Sequence, residues 1–218
     1  MPNDKIKNQL HLHFIVFIWG FTAILGALIS IDAVPLVWYR VLLASAALYL
    51  VLRIRKVRFD ENWADLLKLA LGGLIVGLHW VTFFHAIKIS TVSSTLVSLS
   101  SSAFFVVLIK PFFERKKFQW YELFLALVAI VGFVVIFRSE TVYTEGILVA
   151  LASAFLVALF AVMNSRFIQK YSGSKIAFYE LFFAMVFLSA LLLIQGEFTP
   201  DFFKMSQMDW TYLLLLAL

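Results

Sequence analysis

The chain has 218 residues, of which 63% are hydrophobic and only 14% are charged, and its mean hydropathy is +0.96. A soluble domain of this length keeps roughly a quarter to a third of its unfolded-chain surface in water, so this composition excludes a water-soluble protein. The net charge of +5 does not indicate nucleic-acid binding, because the basic residues form short clusters between apolar runs. The composition therefore predicts an all-α polytopic membrane protein.

Seven apolar runs are each about twenty residues long, enough to cross about 30 Å of hydrocarbon. The predicted spans are 11–31, 34–52, 66–87, 91–112, 120–137, 146–167 and 176–194. The first follows a charged lead without a cleavage site, so we interpret it as an uncleaved span and not as a signal peptide. An eighth run begins at Trp210 and covers only about 14 Å as a helix, so we expect the chain to be a fragment of a longer protein.

Lysine and arginine are distributed unequally between the two predicted sides of the membrane. Fourteen lie at the N-terminus or in and beside the connections after spans two, four and six, whereas three lie on the other side. Because positively charged connections stay in the cytoplasm, we predict a cytoplasmic N-terminus in a cell (plasma or inner) membrane.

The second and seventh spans resemble each other at an offset of 140 residues. The offset aligns Tyr39 with Tyr179, gives three more identical pairs, and places Arg40 on Glu180. These two spans cross the membrane in opposite directions, so the pattern predicts inverted repeats, which build midplane sites in many secondary transporters. The predicted domains are 1–140, a complete five-span repeat, and 141–218, part of a second.

Ionisable side chains inside apolar spans are candidates for a functional site, because a charge in hydrocarbon costs about 3 kcal/mol or more. Helical rise places Arg40 about 9 Å below the outer surface, Glu180 about 6 Å above the cytoplasmic surface and His79 about 20 Å above it. We predict that Arg40 and His79 contact substrate and that Glu180 acts in gating or proton coupling. The alternatives are that Arg40 extends to the headgroups, that His79 bonds a backbone carbonyl, and that Glu180 pairs with Lys175 or another base on the cytoplasmic side.

Hydroxyl side chains recur at three- and four-residue steps along span four and form one stripe. A polar stripe turns away from lipid, so Ser98, Ser101 and Ser102 are predicted to contact substrate; the alternative is that they hold helices together. Trp19, about eight residues into span one, is predicted to line the same site, with packing against lipid as the alternative. The aromatic residues that follow His79 are interpreted as packing against lipid or helices: Trp80, Phe83 and Phe84.

Several chemistries have no support in the sequence. There is no HxxxH, HExxH or cysteine ligand set, and His79 and His85 point about 120° apart on a helix. No phosphate-binding loop occurs, and no connection is long enough to form a soluble catalytic domain. We therefore predict no enzyme activity, no catalytic or metal-binding residue and no cofactor.

Five features together resemble the EamA-type drug/metabolite transporters of the DMT superfamily. They are Trp19-Gly20 in span one, Arg40 in span two, Glu114-Arg115 closing span four, Gly132 in span five and the restart at Gly146. The resemblance implies ten spans in two inverted five-span repeats and transport of small metabolites by alternating access. The chain departs from the pattern at 100–102, where it has three serines and many members have a helix-breaking proline.

The residues and the resemblance predict a secondary transporter of small metabolites or drugs, with export as the expected direction. Its predicted partners are a small-molecule substrate, the lipid bilayer and a coupling proton, with no nucleic acid; no oligomeric state is predicted. The alternative is a membrane protein that transports nothing and associates with other spans through small-residue helix faces.

Overall fold

A computed structural model describes residues 2–114, 119–137 and 143–217, and every regular element within these ranges is a helix. In chain order the helices are α1 (Pro2–Leu28), α2 (Ala33–Ile54), α3 (Trp63–Ile89), α4 (Val92–Ser100), α5 (Ser102–Glu114), α6 (Trp120–Phe137), α7 (Thr144–Phe167), α8 (Gly173–Gln195) and α9 (Gln207–Ala217). Six segments in the described ranges are long and apolar enough to cross a membrane, namely α1 from Ile6, α2, α3, α4 together with α5, α7 and α8. The predicted all-α polytopic membrane fold is confirmed. Arg115 of the Glu114-Arg115 pair and Arg138 lie outside the described residues.

Capping residues set several helix ends. The Asn62 side chain accepts the backbone N–H of Asp65 at the start of α3, and Thr91 accepts that of Ser94 at the start of α4. Gly196 ends α8 with a φ of +69°, a left-handed conformation that favours glycine. Helix α3 therefore begins before the predicted span, because its cap and not the apolar run decides where it starts.

Span four is not the continuous helix that its apolar run predicted. Helix α4 ends at Ser100 and α5 begins at Ser102, with Ser101 in a turn between them. The Ser98 hydroxyl donates to the carbonyl of Ser94 at 2.8 Å, and the Ser101 hydroxyl donates to that of Ser98 at 2.6 Å. Serine hydroxyls that bond back to the preceding turn compete with the helical ladder and bend it, so the break needs no proline.

The core lies where α3 packs between α7 and α8. Glycines on α3 let α8 approach closely, as is usual between membrane helices. A Cβ at Gly73 would lie 2.5 Å from the backbone oxygen of Glu180 and 2.8 Å from the Cβ of Phe183. Buried alanines supply small faces on the two partners of α3: Ala150, Ala154 and Ala158 on α7, and Ala184 on α8.

Helices α1 and α6 carry many of the exposed apolar side chains of the described residues. Trp19 is 68% exposed on α1 and Trp120 is 78% exposed on α6. Nothing lies within 4 Å of the position that a Cβ would take at Gly20 or Gly132. Apolar faces of this extent suit a lipid surrounding, because water-soluble proteins rarely expose them.

The connections gather at two ends of the bundle. At one end, which we call the basic end, the α2–α3 connection contacts the start of α8 through Asp60 and Lys175. At the other, which we call the opposite end, the turn before α2 contacts α9 through Ser30 and Asp209.

Candidate functional site

Helix α2 carries Arg40 into the packed part of the bundle. Its guanidinium carbon lies 4.0 Å from the centre of the Trp80 ring and 5.8 Å from that of Phe84. A cation over an aromatic face gains about 0.5–2 kcal/mol from the ring quadrupole. Its Nη1 atom is buried and has no hydrogen-bond partner among the described residues. Within the described ranges the charge is thus held by aromatic rings and not by a carboxylate.

Trp80 is the member of this group that sequence reasoning assigned only to packing. The structure places it as the platform for the Arg40 guanidinium. Its position directly after His79 was visible in the sequence, but nothing there indicates that this face of α3 meets α2. The other two aromatic residues of the stretch, Phe83 and Phe84, are buried in the core as interpreted.

His79 is buried on α3 and faces α7. Its Nδ1 atom lies 3.0 Å from the backbone oxygen of Ser153 and 2.8 Å from the Ser153 hydroxyl, which lies 3.0 Å from the backbone oxygen of His79. A carbonyl only accepts, so Nδ1 is the donor in this pair. His79 makes the carbonyl contact that the alternative predicted, while no described residue bonds its Nε2.

The remaining substrate candidates do not gather around Arg40. Ser98 and Ser101 are buried and use their hydroxyls on carbonyls of their own segment, and Ser102 is half-buried. Trp19 lies on the exposed face of α1, where its alternative placed it. No contact within the described ranges joins these four side chains to Arg40.

Glu180 lies where α8 passes Gly72 of α3, and it is only 3% exposed. Its Oε2 accepts a hydrogen bond of 3.1 Å from Nδ2 of Asn164 on α7. Its Oε1 is buried without a partner, and so is Oδ1 of Asn164. The alternative of a salt bridge to Lys175 is wrong, because Lys175 pairs with acidic residues of the α2–α3 connection instead.

The basic end contains a set of paired charges that we call the ionic network. Lys175 binds Asp60 at 2.9 Å and also Glu61, whose side chain is 1% exposed and accepts the Tyr179 hydroxyl. A second group joins Lys170 and Tyr171 to Asp65, with 2.6 Å between the Tyr171 hydroxyl and the carboxylate. The members are Asp60, Glu61, Asp65, Lys170, Tyr171, Lys175 and Tyr179.

Hydrogen bonds within the ionic network shift the ionisation of its exposed members. The bond from Lys175 and the ammonium charge hold the pKa of the Asp60 carboxyl below its usual range. The bond to Asp65 raises the pKa of Lys170. Both shifts favour the charged forms of Asp60 and Lys170.

The opposite end is closed by Asp209 at the start of α9. Its carboxylate accepts bonds of 2.7 Å from the Ser30 backbone N–H, the Ser30 hydroxyl and the Ser206 hydroxyl. The Lys88 ammonium donates to the carbonyl of Ile29 at 2.9 Å. Each end of the described bundle is thus tied by polar contacts between segments far apart in the chain.

Two surface depressions lie at these ends and not at the centre. One of about 840 Å³ at the basic end is lined by 53 and 56–60, and one of about 240 Å³ at the opposite end by 30–32, 35, 197, 201, 202 and 204. Neither includes Arg40, His79 or Glu180.

Membrane-length helices that enclose an arginine and a glutamate define a multi-pass membrane protein with polar groups inside its bundle. The model of the EamA-like transporter family matches residues 10–138, more than half of the chain. The chain belongs to the EamA-like transporter family. The resemblance inferred from Trp19-Gly20, Arg40 and the later motifs is therefore confirmed, and the class of protein is a transporter with a small-molecule substrate.

Two relatives agree with this assignment, and a solved structure has the same fold. An uncharacterized transporter of Archaeoglobus fulgidus is 28% identical over 211 residues, which is 93% of this chain and 72% of the relative. An uncharacterized transporter of Clostridium kluyveri is 25% identical over 155 residues, which is 67% of this chain and 49% of the relative. A protein crystal structure aligns with a TM-score of 0.66 at 17% identity, over 93% of this chain and 71% of that one, and shows the same fold.

Proposed function

We propose that the protein transports small anionic metabolites by alternating access, with Arg40 binding the carboxylate or phosphate of the substrate. The observation that carries the proposal is the buried Nη1 atom of Arg40, which has neither a hydrogen-bond partner nor a counter-ion among the described residues. A guanidinium presents a rigid fork of donors that matches carboxylate and phosphate oxygens. An anionic substrate would supply the missing partner.

Trp80 and His79 complete the proposed binding site. The Trp80 ring lies 4.0 Å from the guanidinium carbon and fixes the plane of the fork without using its donors. The bonds from His79 to Ser153 orient the imidazole and leave its Nε2 for a polar group of the substrate.

Polar closures at both ends support alternating access. The ionic network ties the α2–α3 connection to α8, and Asp209 ties α9 to Ser30. A transporter releases such closures one at a time around a fixed site. We propose that the basic end is cytoplasmic in a cell membrane, that transport is export, and that Glu180 couples it to a proton, since a buried carboxylate without a cation is costly.

Replacement of Arg40 tests the substrate site. The protein is purified, a panel of small carboxylates and phosphate esters is screened for thermal stabilisation, and flux of the best radiolabelled compound is measured in proteoliposomes. Loss of a charge-assisted contact costs about 1.5–3 kcal/mol, so Arg40→Ala should reduce flux at least tenfold. Arg40→Lys should restore it only in part, because an ammonium lacks the fork.

Arg166→Ala is the matched control, because Arg166 is exposed and lies 5.9 Å from the Phe113 ring. It should leave flux unchanged. Full flux in Arg40→Ala would refute the proposed site. If no anion in the panel is transported, the alternative of an assembly protein that uses its small-residue helix faces gains support.

A further inference from the structure

We infer that Asn164 and Glu180 form a single proton-binding site, in which the proton lies between Glu180 Oε1 and Asn164 Oδ1. The inference names the ligand and the second residue of the proposed coupling site, and so rests on the proposed function. Asn164 is a positioning residue in this site, because it holds the carboxyl group that carries the proton.

The hydrogen bonds of the two side chains lead to this assignment. Glu180 Oε2 already accepts from Asn164 Nδ2 at 3.1 Å. The other oxygens of the same two groups, Glu180 Oε1 and Asn164 Oδ1, are both buried without a partner. Both are acceptors in the ionised pair, so neither can satisfy the other.

One proton gives both of these oxygens a hydrogen-bond partner. When Oε1 carries it, that oxygen donates to Oδ1 of Asn164, while Oε2 remains the acceptor of Nδ2. A carboxylic acid and a primary amide then share two parallel hydrogen bonds between planar groups. Because buried polar atoms without partners are costly, closing the bundle around the pair favours the protonated form of the unit.

Glycine leaves the space that this arrangement needs. A Cβ at Gly72 would lie 2.6 Å from Oε1 of Glu180, so any side chain there would displace the oxygen that carries the proton. Helix α3 therefore contributes room and no hydrogen-bonding group at this point.

No charged group on the neighbouring helices pairs with Glu180. On the described parts of α2, α3, α7 and α8, the following ionisable side chains contact other groups. They are Arg40 on Trp80, Asp65 with Lys170, Lys68 with Asp65, Arg166 near Phe113, and Lys175 and Tyr179 with Glu61. A proton is therefore the charge-compensating ligand that this site can take.

The place of Glu180 in α8 gives the proton a route. Glu180 lies five residues after Lys175, which belongs to the ionic network of the basic end. When that end opens, water reaches the pair, and the proton passes from Oε1 to water and leaves a carboxylate. Closing the end requires the reverse step, in which Oε1 takes a proton from water before the pair is buried.

Infrared difference spectroscopy tests the site without a substrate. The purified full chain is taken between about pH 5 and about pH 9, and the carbonyl band of a protonated carboxylic acid is followed. We expect a band that Glu180→Gln removes and that the exposed-site control Glu197→Gln retains. Asn164→Leu should move the band to higher frequency, because the acid carbonyl loses its amide N–H bond.

Asn164→Ser is a second variant for the case that Asn164→Leu does not fold, and it should shift the band in the same direction. A wild-type spectrum without a band assignable to Glu180, or a band that neither Asn164 variant shifts, would overturn the inference.

Transport is measured separately, as substrate accumulation driven by a pH gradient in the Glu180→Gln variant. A shifted band with undiminished accumulation would keep the proton site and refute its coupling role, while the Arg40 experiment is unaffected by either result.

Discussion

The basic end and the packed interior of the bundle, which we call the centre, hold their charges in opposite ways. At the basic end, Lys175 contacts two carboxylates and Lys170 contacts a third. In the centre, Arg40 lies on an aromatic ring and Glu180 on an amide, and no opposite charge pairs with either one among the described residues. Paired charges fix two segments relative to each other, whereas an unpaired charge leaves an interaction for a ligand to complete.

The two arrangements of charge differ in what they contribute to the stability of the fold. An exposed ion pair contributes about 0–1 kcal/mol, so the outer part of the ionic network adds little to stability. Burial of one ion costs several kcal/mol unless a partner compensates it. Arg40, and Glu180 whenever it is ionised, therefore reduce the stability of the described bundle, and membrane proteins keep such residues mainly where they serve function.

The largest effect on stability is expected at the close contact between α3 and α8. A Cβ at Gly73 would meet the Glu180 backbone oxygen at 2.5 Å, and backbone atoms cannot move aside cheaply. Gly73→Ala should therefore destabilise the protein by about 3 kcal/mol, measured as the unfolding midpoint in detergent. Gly132→Ala is the control, because that position is open. Equal midpoints for both variants would contradict the close packing of α3 on α8.

An intermediate effect is expected from Glu61→Gln in the ionic network. The Glu61 side chain is 1% exposed and binds both Lys175 and Tyr179, so its neutralisation leaves a nearly buried ammonium with only the exposed Asp60. Glu61→Gln should therefore lower the free energy of unfolding by about 2 kcal/mol. Asp201→Asn, the control, breaks the exposed pair with Lys204 and should lower the free energy of unfolding by less than about 0.5 kcal/mol.

Substrate binding sharpens the same comparison. Glu61→Gln should leave the affinity of the best anion unchanged, because the network does not contact Arg40. A parallel loss of affinity would show that the paired and unpaired charges form one functional unit.

The fold class and the two central charges could be predicted from the sequence. Lipid requires long apolar helices, so the spans are visible as runs, and Arg40 and Glu180 are conspicuous because each interrupts such a run. The break at Ser101 was missed because serines are common in helices, and only their bonds to the preceding turn show the bend.

The partners of the central charges could not be predicted. Trp80 and Asn164 lie on helices that are apolar on nearly every side, so periodicity does not reveal which face meets which neighbour. The acidic residues that bind Lys175 lie more than a hundred positions earlier in the chain. Such pairings follow from three-dimensional packing, which the sequence alone does not specify.

The smallest effect on stability is expected in its dependence on pH, which also distinguishes the two regions most clearly. The lowered pKa of Asp60 means that its contribution to stability is present above its ordinary pKa of 3.8 and is lost as pH falls through the lower folded value. The raised pKa of Lys170 means that its contribution is present below pH 10.5 and is lost as pH rises through the higher folded value.

Between about pH 5 and about pH 9 the exposed members of the network thus contribute a constant amount to stability. Asp60→Asn should therefore leave the slope of the unfolding midpoint against pH unchanged in this window, whereas Glu180→Gln should flatten it, because the variant takes up no proton at this position on folding. Slopes caused by histidines are common to all three proteins and cancel in the comparison. A flattened slope in Asp60→Asn would place the pH-sensitive group at the basic end and remove the distinction between the two regions.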